Sequence, residues 1–175
     1  MVGGALSVGT ISAIMSGCKA EPVSLDWEPK VFSQEQAQLV TEIAERIIPE
    51  TDTPGAKEAG VPSFVDNSIH LNIHGEDRKN LLDGLLLYTI AAEDKYGKSF
   101  IDLSDAEKDD VIRIVAMNVT GDETINPAFK QLKELVVVGY FTSEVGAKSA
   151  LAYDPIPGEY KGCIDFKEVG KAYAI

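Results

Sequence analysis

NPAFKQLKELVVVGYF, Asn126 to Phe141, decides between an all-helical fold and a mixed one. Taken alone, LVVVGYF reads as a strand, because consecutive valines are stiff at χ1 and suit a pleated surface. The residues before it argue the other way. Asn126 is a good N-cap residue, and Pro127 fits the first helical position, where its missing N–H costs nothing. Phe129, Leu132 and Val136 then fall on one face at helical spacing. The cap signals predict a helix, and with it an all-α chain.

The segments upstream follow the same rules. In FSQEQAQLVTEIAERIIPETDTPG, Ser33 and Gln36 make a capping box, and Val40, Ile43, Ala44, Ile47 and Ile48 line one helical face. Pro49 ends that helix, and Pro54-Gly55 fits the middle of a type II turn. Gly60 and Pro62 open a second helix through Phe64, Val65, Ile69 and Ile73, broken by Gly75. EDRKNLLDGLLLYTIAAEDKYG is apolar on most of its girth from Leu81 to Ala92, which predicts the central, most buried helix. Gly84 within it suits a close helix approach, and Gly97 ends it. LSDAEKDDVIRIVAMN carries a second capping box, Ser104 with Glu107, before Val111, Ile114 and Val115. Its acids Asp102, Asp105, Glu107, Asp109 and Asp110 read as charge favouring a helix N-terminus, worth a few tenths of a kcal/mol each. The fold expected is a compact bundle of about five helices over residues 32–145.

After residue 145 the helical pattern dissolves. Pro155, Pro157, Gly158 and Gly162 interrupt it, yet Leu151, Tyr153, Ile156, Tyr160, Ile164, Phe166 and Tyr173 are bulky and apolar. Disordered tails are usually poor in aromatics. Residues 146–175 are therefore expected to be an extended, mostly irregular tail that lies on its own helices or on another protein.

At the other end, residues 1–17 carry no charge and are rich in Gly and Ser. Small Ser16 and Gly17 precede Cys18, and MSGC resembles a bacterial lipobox, in which the cysteine is lipidated and becomes the first mature residue. Export signals open on a basic n-region, and here Met1 is followed by Val2. The modest hydrophobicity suits a twin-arginine signal, though no arginine pair is present. The plainer alternative is an N-terminal helix with a buried cysteine. Residues 18–31, polar and broken by Pro22 and Pro29, read as a tether that lifts the domain off the membrane, with Trp27 docking onto the domain.

Composition excludes several functions. The chain of 175 residues has 16 basic and 28 acidic side chains, a net charge of −12. That sign disfavours nucleic acid and electrostatic attraction to anionic lipid. No GxSxG, HExxH, P-loop, CxxC or CxxCH occurs. The best candidate for a site is DNSIHLNIH, where Asp66, His70 and His74, four apart, would stack on one helical face and offer a metal two imidazoles and a carboxylate. Its alternative is a polar face with solvated or capping histidines, and no metal site is the expectation.

Two stretches go beyond generic helices. ERIIPETDTPGAKEAGVPSFVD, Glu45 to Asp66, has a helix ending in I-I-P, then D-T-P-G, then G-V-P opening another helix. GYFTSEVG, Gly139 to Gly146, is followed by YDPIPGEYKGCI. Together they resemble the family of gluconate 2-dehydrogenase subunit 3, the small subunit of membrane-associated flavoprotein dehydrogenases. The resemblance covers nearly all of the chain after Cys18. It implies a noncatalytic helical subunit without a cofactor. The implied partner is a large FAD-dependent enzyme of the glucose-methanol-choline type that oxidises sugars or sugar acids and passes electrons to a cytochrome c. The small subunit would carry the export signal for that partner and help it fold. The lipobox departs from this pattern and adds a lipid anchor, on the periplasmic side of the cell membrane.

Tyr140 and Phe141 in the G-Y-F block, and Tyr153, Pro155, Pro157, Tyr160, Cys163 and Phe166 in the tail, are the expected partner contacts. With Cys18 lipidated, Cys163 is left over, which points to an intermolecular disulfide or to a free, buried thiol. Two other function classes stay open: a stand-alone helical lipoprotein that binds or scaffolds, and an enzyme built on Asp66, His70 and His74.

Overall fold

The structure, a computed structural model, describes residues 25–117, 125–156, 158–159 and 162–173. The expected signal segment, Cys18, Pro157 and Tyr160 lie outside them. Along the chain run α1 (Gln34–Ile47), α2 (Val61–Asn72), α3 (Gly75–Tyr96), a 3-10 turn (Phe100–Asp102), α4 (Asp105–Ala116), α5 (Pro127–Thr142), α6 (Glu144–Ala150) and α7 (Phe166–Val169). Among the described residues there is no β-strand, only isolated bridges pairing Met117 with Ile125 and Ala152 with Tyr173. The all-α expectation holds.

The valine-rich segment is helical and is the hub: α5 packs against α1, α2, α3, α4 and α6. The Asn126 side chain accepts from the Ala128 amide at 3.0 Å, and Pro127 follows as the first helical residue. Leu132, Val136 and Tyr140 are buried on the inward face. Each such side chain contributes about 1.5–3 kcal/mol by leaving water. Glycines set the helix spacing. A Cβ on Gly84 of α3 would fall 2.3 Å from the Ala128 Cβ, and one on Gly139 would fall 2.6 Å from Phe64. The expected close approach at Gly84 is thus real, and its neighbour is α5.

The helix expected to be central is not. In α3, Leu81, Leu85, Tyr88 and Ala92 enter the core, while Leu86, Leu87 and Ile90 are exposed. Its apolar girth is two stripes, one used by the core and one facing solvent. Likewise Val111 and Val115 of α4 are buried, and Ile114 between them is exposed.

Polar cross-links tie α1 to α4. Lys108, which is buried, reaches Glu42 at 2.7 Å. Arg46 donates from Nε to Asp109 at 2.7 Å and reaches Asp105 at 3.2 Å. The acids of α4 were expected to serve only the helix dipole. They also hold Arg46, and Asp110 accepts from Tyr96 at 2.8 Å and pairs with Lys95. Sequence spacing could not show these pairs, because the partners are far apart in the chain. Among the described residues no helix is long and apolar enough to cross a membrane.

Candidate partner-binding surface

The loop after α1 is built around one carboxylate. Glu45 accepts from the amides of Glu50 and Lys57, each at 2.9 Å. A Cβ on Gly55 would lie 2.2 Å from Glu45 Oε1, so a larger residue there would push the carboxylate off these amides. This replaces the expected type II turn, which needs a positive φ that Gly55 does not have. The Ala56 amide then donates to the Ile48 carbonyl at 2.9 Å, closing the loop onto the end of α1. From α5, far along the chain, the Tyr140 hydroxyl donates to the Pro54 carbonyl at 2.8 Å. Tyr140 is 2% exposed. It is a core residue that locks this loop, so of the expected pair only Phe141, 40% exposed and edge-on to the Tyr140 ring, faces outward. Next along the chain, Ser143 caps α6 by accepting from the Gly146 amide at 2.9 Å. Gly146 packs so close to the Tyr140 carbonyl that a Cβ would lie 1.9 Å away.

Asp66 is buried and fully used. It accepts from the amides of Lys30 at 2.7 Å and of Val31 and Phe32, each at 3.0 Å. These bonds fasten the segment before α1 to α2, and Leu25, Trp27 and Val31 pack on the core. Residues 25–31 of the expected tether therefore belong to the domain. His74 does not share a helical face with Asp66, because α2 ends at Asn72 and His74 is the N-cap of α3; His70, one turn after Asp66 on α2, is exposed while Asp66 is buried. The Arg78 guanidinium donates to the carbonyls of Ile69, His70 and Ile73, which close α2, and to His74 Nδ1. With Nδ1 accepting, His74 Nε2 donates to the Leu71 carbonyl at 3.1 Å. The His74 ring bridges the junction of α2 and α3, and no group of three metal-ligating side chains forms among the described residues.

The tail begins later than residue 146, since α6 packs on α5 and reaches Ala150. Beyond it the chain doubles back, with the Ala152 amide donating to Ala172 at 2.7 Å and Lys171 to the Ser149 carbonyl at 2.6 Å. Its bulky groups stay in solvent: Tyr153, Pro155, Ile156 and Phe166 are all exposed. Cys163 is also exposed, which overturns the buried-thiol alternative.

The family model described as gluconate 2-dehydrogenase subunit 3 matches residues 34–158. The chain belongs to the gluconate 2-dehydrogenase subunit 3 family. No curated protein and no solved structure matches the chain. The matched span of this subunit 3 protein contains both sequence blocks that meet at the Tyr140–Pro54 bond, so the two hallmarks form one structural joint. The family description makes it an accessory subunit of a dehydrogenase complex.

This subunit 3 chain also has a cleft of about 390 Å³. Leu25, Trp27, Thr41, Glu42, Lys57 and Ser63 line it. The Thr41 hydroxyl donates to the Ala37 carbonyl at 2.7 Å and Glu42 holds Lys108, so two of its polar groups are already engaged. Nothing in the sequence pointed to it, because its walls come from the N-terminal segment, α1, the loop and α2.

Proposed function

We propose that this chain is a noncatalytic accessory subunit of an exported, FAD-dependent dehydrogenase of sugars or sugar acids, of the glucose-methanol-choline type. It brings an export signal and a lipid anchor on Cys18 to a catalytic subunit, and it stabilises that subunit at the periplasmic face of the cell membrane. FAD belongs to the partner, electrons leave to a cytochrome c, and this chain holds no cofactor. Family membership over residues 34–158 is the observation that carries the reading. The tail supports it. Tyr153 and Phe166 are exposed on a segment with little helix, Pro155 lies between them, and Pro157 and Tyr160 share the stretch. Aromatic anchors of this kind dominate many interfaces. The exposure of Cys163 supports a disulfide with the catalytic subunit. Asp66 is committed to backbone amides, which leaves the enzyme alternative without its carboxylate.

Purification from the native membrane in mild detergent tests this. The expected result is a complex with one larger protein bearing a flavin spectrum, and a diacylglyceryl group at Cys18 by mass. A chain that purifies without any flavoprotein sinks the reading, and an unmodified Cys18 removes the anchor from it. The cleft beside Trp27 favours a second reading, a stand-alone lipoprotein that binds a small ligand. Saturable quenching of Trp27 fluorescence by a small molecule would support it.

A further inference from the structure

The outward side of α3 is apolar. Leu86 is 54% exposed, Ile90 51% and Leu87 37%. Leu86 and Ile90, four residues apart, lie on the side away from Leu81, Leu85, Tyr88 and Ala92, which fill the core, and half-buried Leu82 packs at the border between the two. A helix that is apolar all round belongs in an interior, and in the isolated chain this one has an interior on one side only. We infer that this face of α3 is the docking surface for the catalytic subunit, which receives it in an apolar groove edged with Lys or Arg. The inference rests on the accessory-subunit reading and adds to it a place and a partner chemistry.

Charge selects the occupant. Glu93 and Asp94 are exposed next to Ile90 in the chain and have no ion pair among the described residues. Asp83 is engaged by Lys79 on the same helix, so the cation at that end is already neutralised. A second copy would bring the same uncompensated acids on a chain of net charge −12. An anionic lipid surface would repel it for the same reason. A different protein with a basic rim gains from the apolar contact and from the charges together. Rim charges of this kind mainly speed encounter, while buried apolar anchors hold the complex. Leu86 and Ile90, one turn apart, are suited to a helix-in-groove fit.

The test uses the full chain co-expressed with the flavoprotein subunit that purifies with it. Hydroxyl-radical footprinting should show Leu86, Leu87 and Ile90 shielded in the complex and open in the free chain. The double variant L86E/I90E should keep its circular dichroism and melting temperature, since both residues are exposed, and bind the flavoprotein about tenfold or more weakly. E93K/D94K should slow association several-fold at low salt. If the wild-type complex forms and L86E/I90E binds as tightly, the docking face is wrong while the accessory role stands. If the wild-type chain forms no complex, both fail. A wild-type dimer that L86E/I90E dissolves would assign the face to a second copy. Binding of an unlipidated C18A chain, but not its L86E/I90E form, to phosphatidylcholine–phosphatidylglycerol vesicles would assign it to the membrane. Either result overturns the proposal.

Discussion

The hydroxyl of Tyr140 and the carbonyl of Pro54, 86 residues apart in sequence, are joined by a 2.8 Å hydrogen bond. It pins the loop after α1 to the hub helix α5. In Y140F the ring stays and the bond goes, so stability should fall by about 1 kcal/mol, because part-exposed Pro54 can recruit water. Y140A should cost about 3–5 kcal/mol by emptying a core position. Urea unfolding of the two variants separates these effects: an unchanged Y140F would show that the bond contributes nothing, and equal losses would show that the ring adds nothing to it.

Asp66 and Trp27 make a second, optically visible joint. Removing the carboxylate in D66A strips the amides of Lys30, Val31 and Phe32 of their acceptor. Hydrogen bonds to a charged group contribute about 1.5–3 kcal/mol each, so the segment before α1 should detach. Trp27 is the only tryptophan in the chain, and it packs on the core. Its emission should shift to the red in D66A, and proteases should cut near residue 30. An unchanged spectrum would mean that packing alone holds the segment.

Gly84 runs against helix propensity for a reason that a variant can expose. Alanine would ordinarily stabilise a helix interior by about 1 kcal/mol over glycine. Here the added methyl would fall 2.3 Å from the Ala128 Cβ, so G84A should be destabilised by about 1–3 kcal/mol as α3 and α5 separate. The double variant G84A/A128G should recover most of that loss in thermal melts. Failure to recover would place the strain elsewhere.

Acid should loosen the α1–α4 and α3–α4 contacts. The hydrogen bond from Arg46 holds the Asp109 carboxyl below its ordinary value, and bonds from Lys95 and then Tyr96 do the same for Asp110. The Ser104 amide lowers Glu107. Each folded carboxyl is thus more acidic than its unfolded counterpart near pH 4. Their stabilisation is present above that pH and is lost as pH falls through the lower folded values. Urea midpoints should be level from about pH 7 to 5 and drop below about pH 4. The R46M variant should lose about 0.5 kcal/mol at pH 7, a small figure because the Asp109 side chain is 44% exposed, and should show a shallower acid drop.

Cutting the tail in two places separates folding from binding. Deletion from Leu151 keeps α6 and the α3 face, and should leave a melting curve near wild type with a weakened hold on the flavoprotein. Deletion from Gly146 removes most of α6, which packs on α5 under the Tyr140 carbonyl, and should unfold more easily. If the Leu151 truncation still binds at full strength, the helices carry the grip.

What the sequence determined by itself is local. Capping residues Ser33, Asn126 and Ser104, the 3.6-residue spacing of Val40, Ile43 and Ala44, and the breaks at Pro49 and Gly97 act within a turn or two. They specify helices without reference to the rest of the chain. The family blocks were legible too, as short strings. Tertiary structure decided everything that depends on which surfaces meet. Periodicity marks an apolar stripe but not what covers it, so α3 looked central while α5, with its strand-like valines, is the hub. The polarity of Asp66 and the spacing of its histidines suggested a ligand set. Only the fold shows that three amides from the preceding segment claim the carboxylate, and that the helix stops before His74. Gly55 and Tyr140 read as turn and surface residues because their reasons, a carboxylate from α1 and a carbonyl in a distant loop, arrive through contacts that sequence neighbours do not encode.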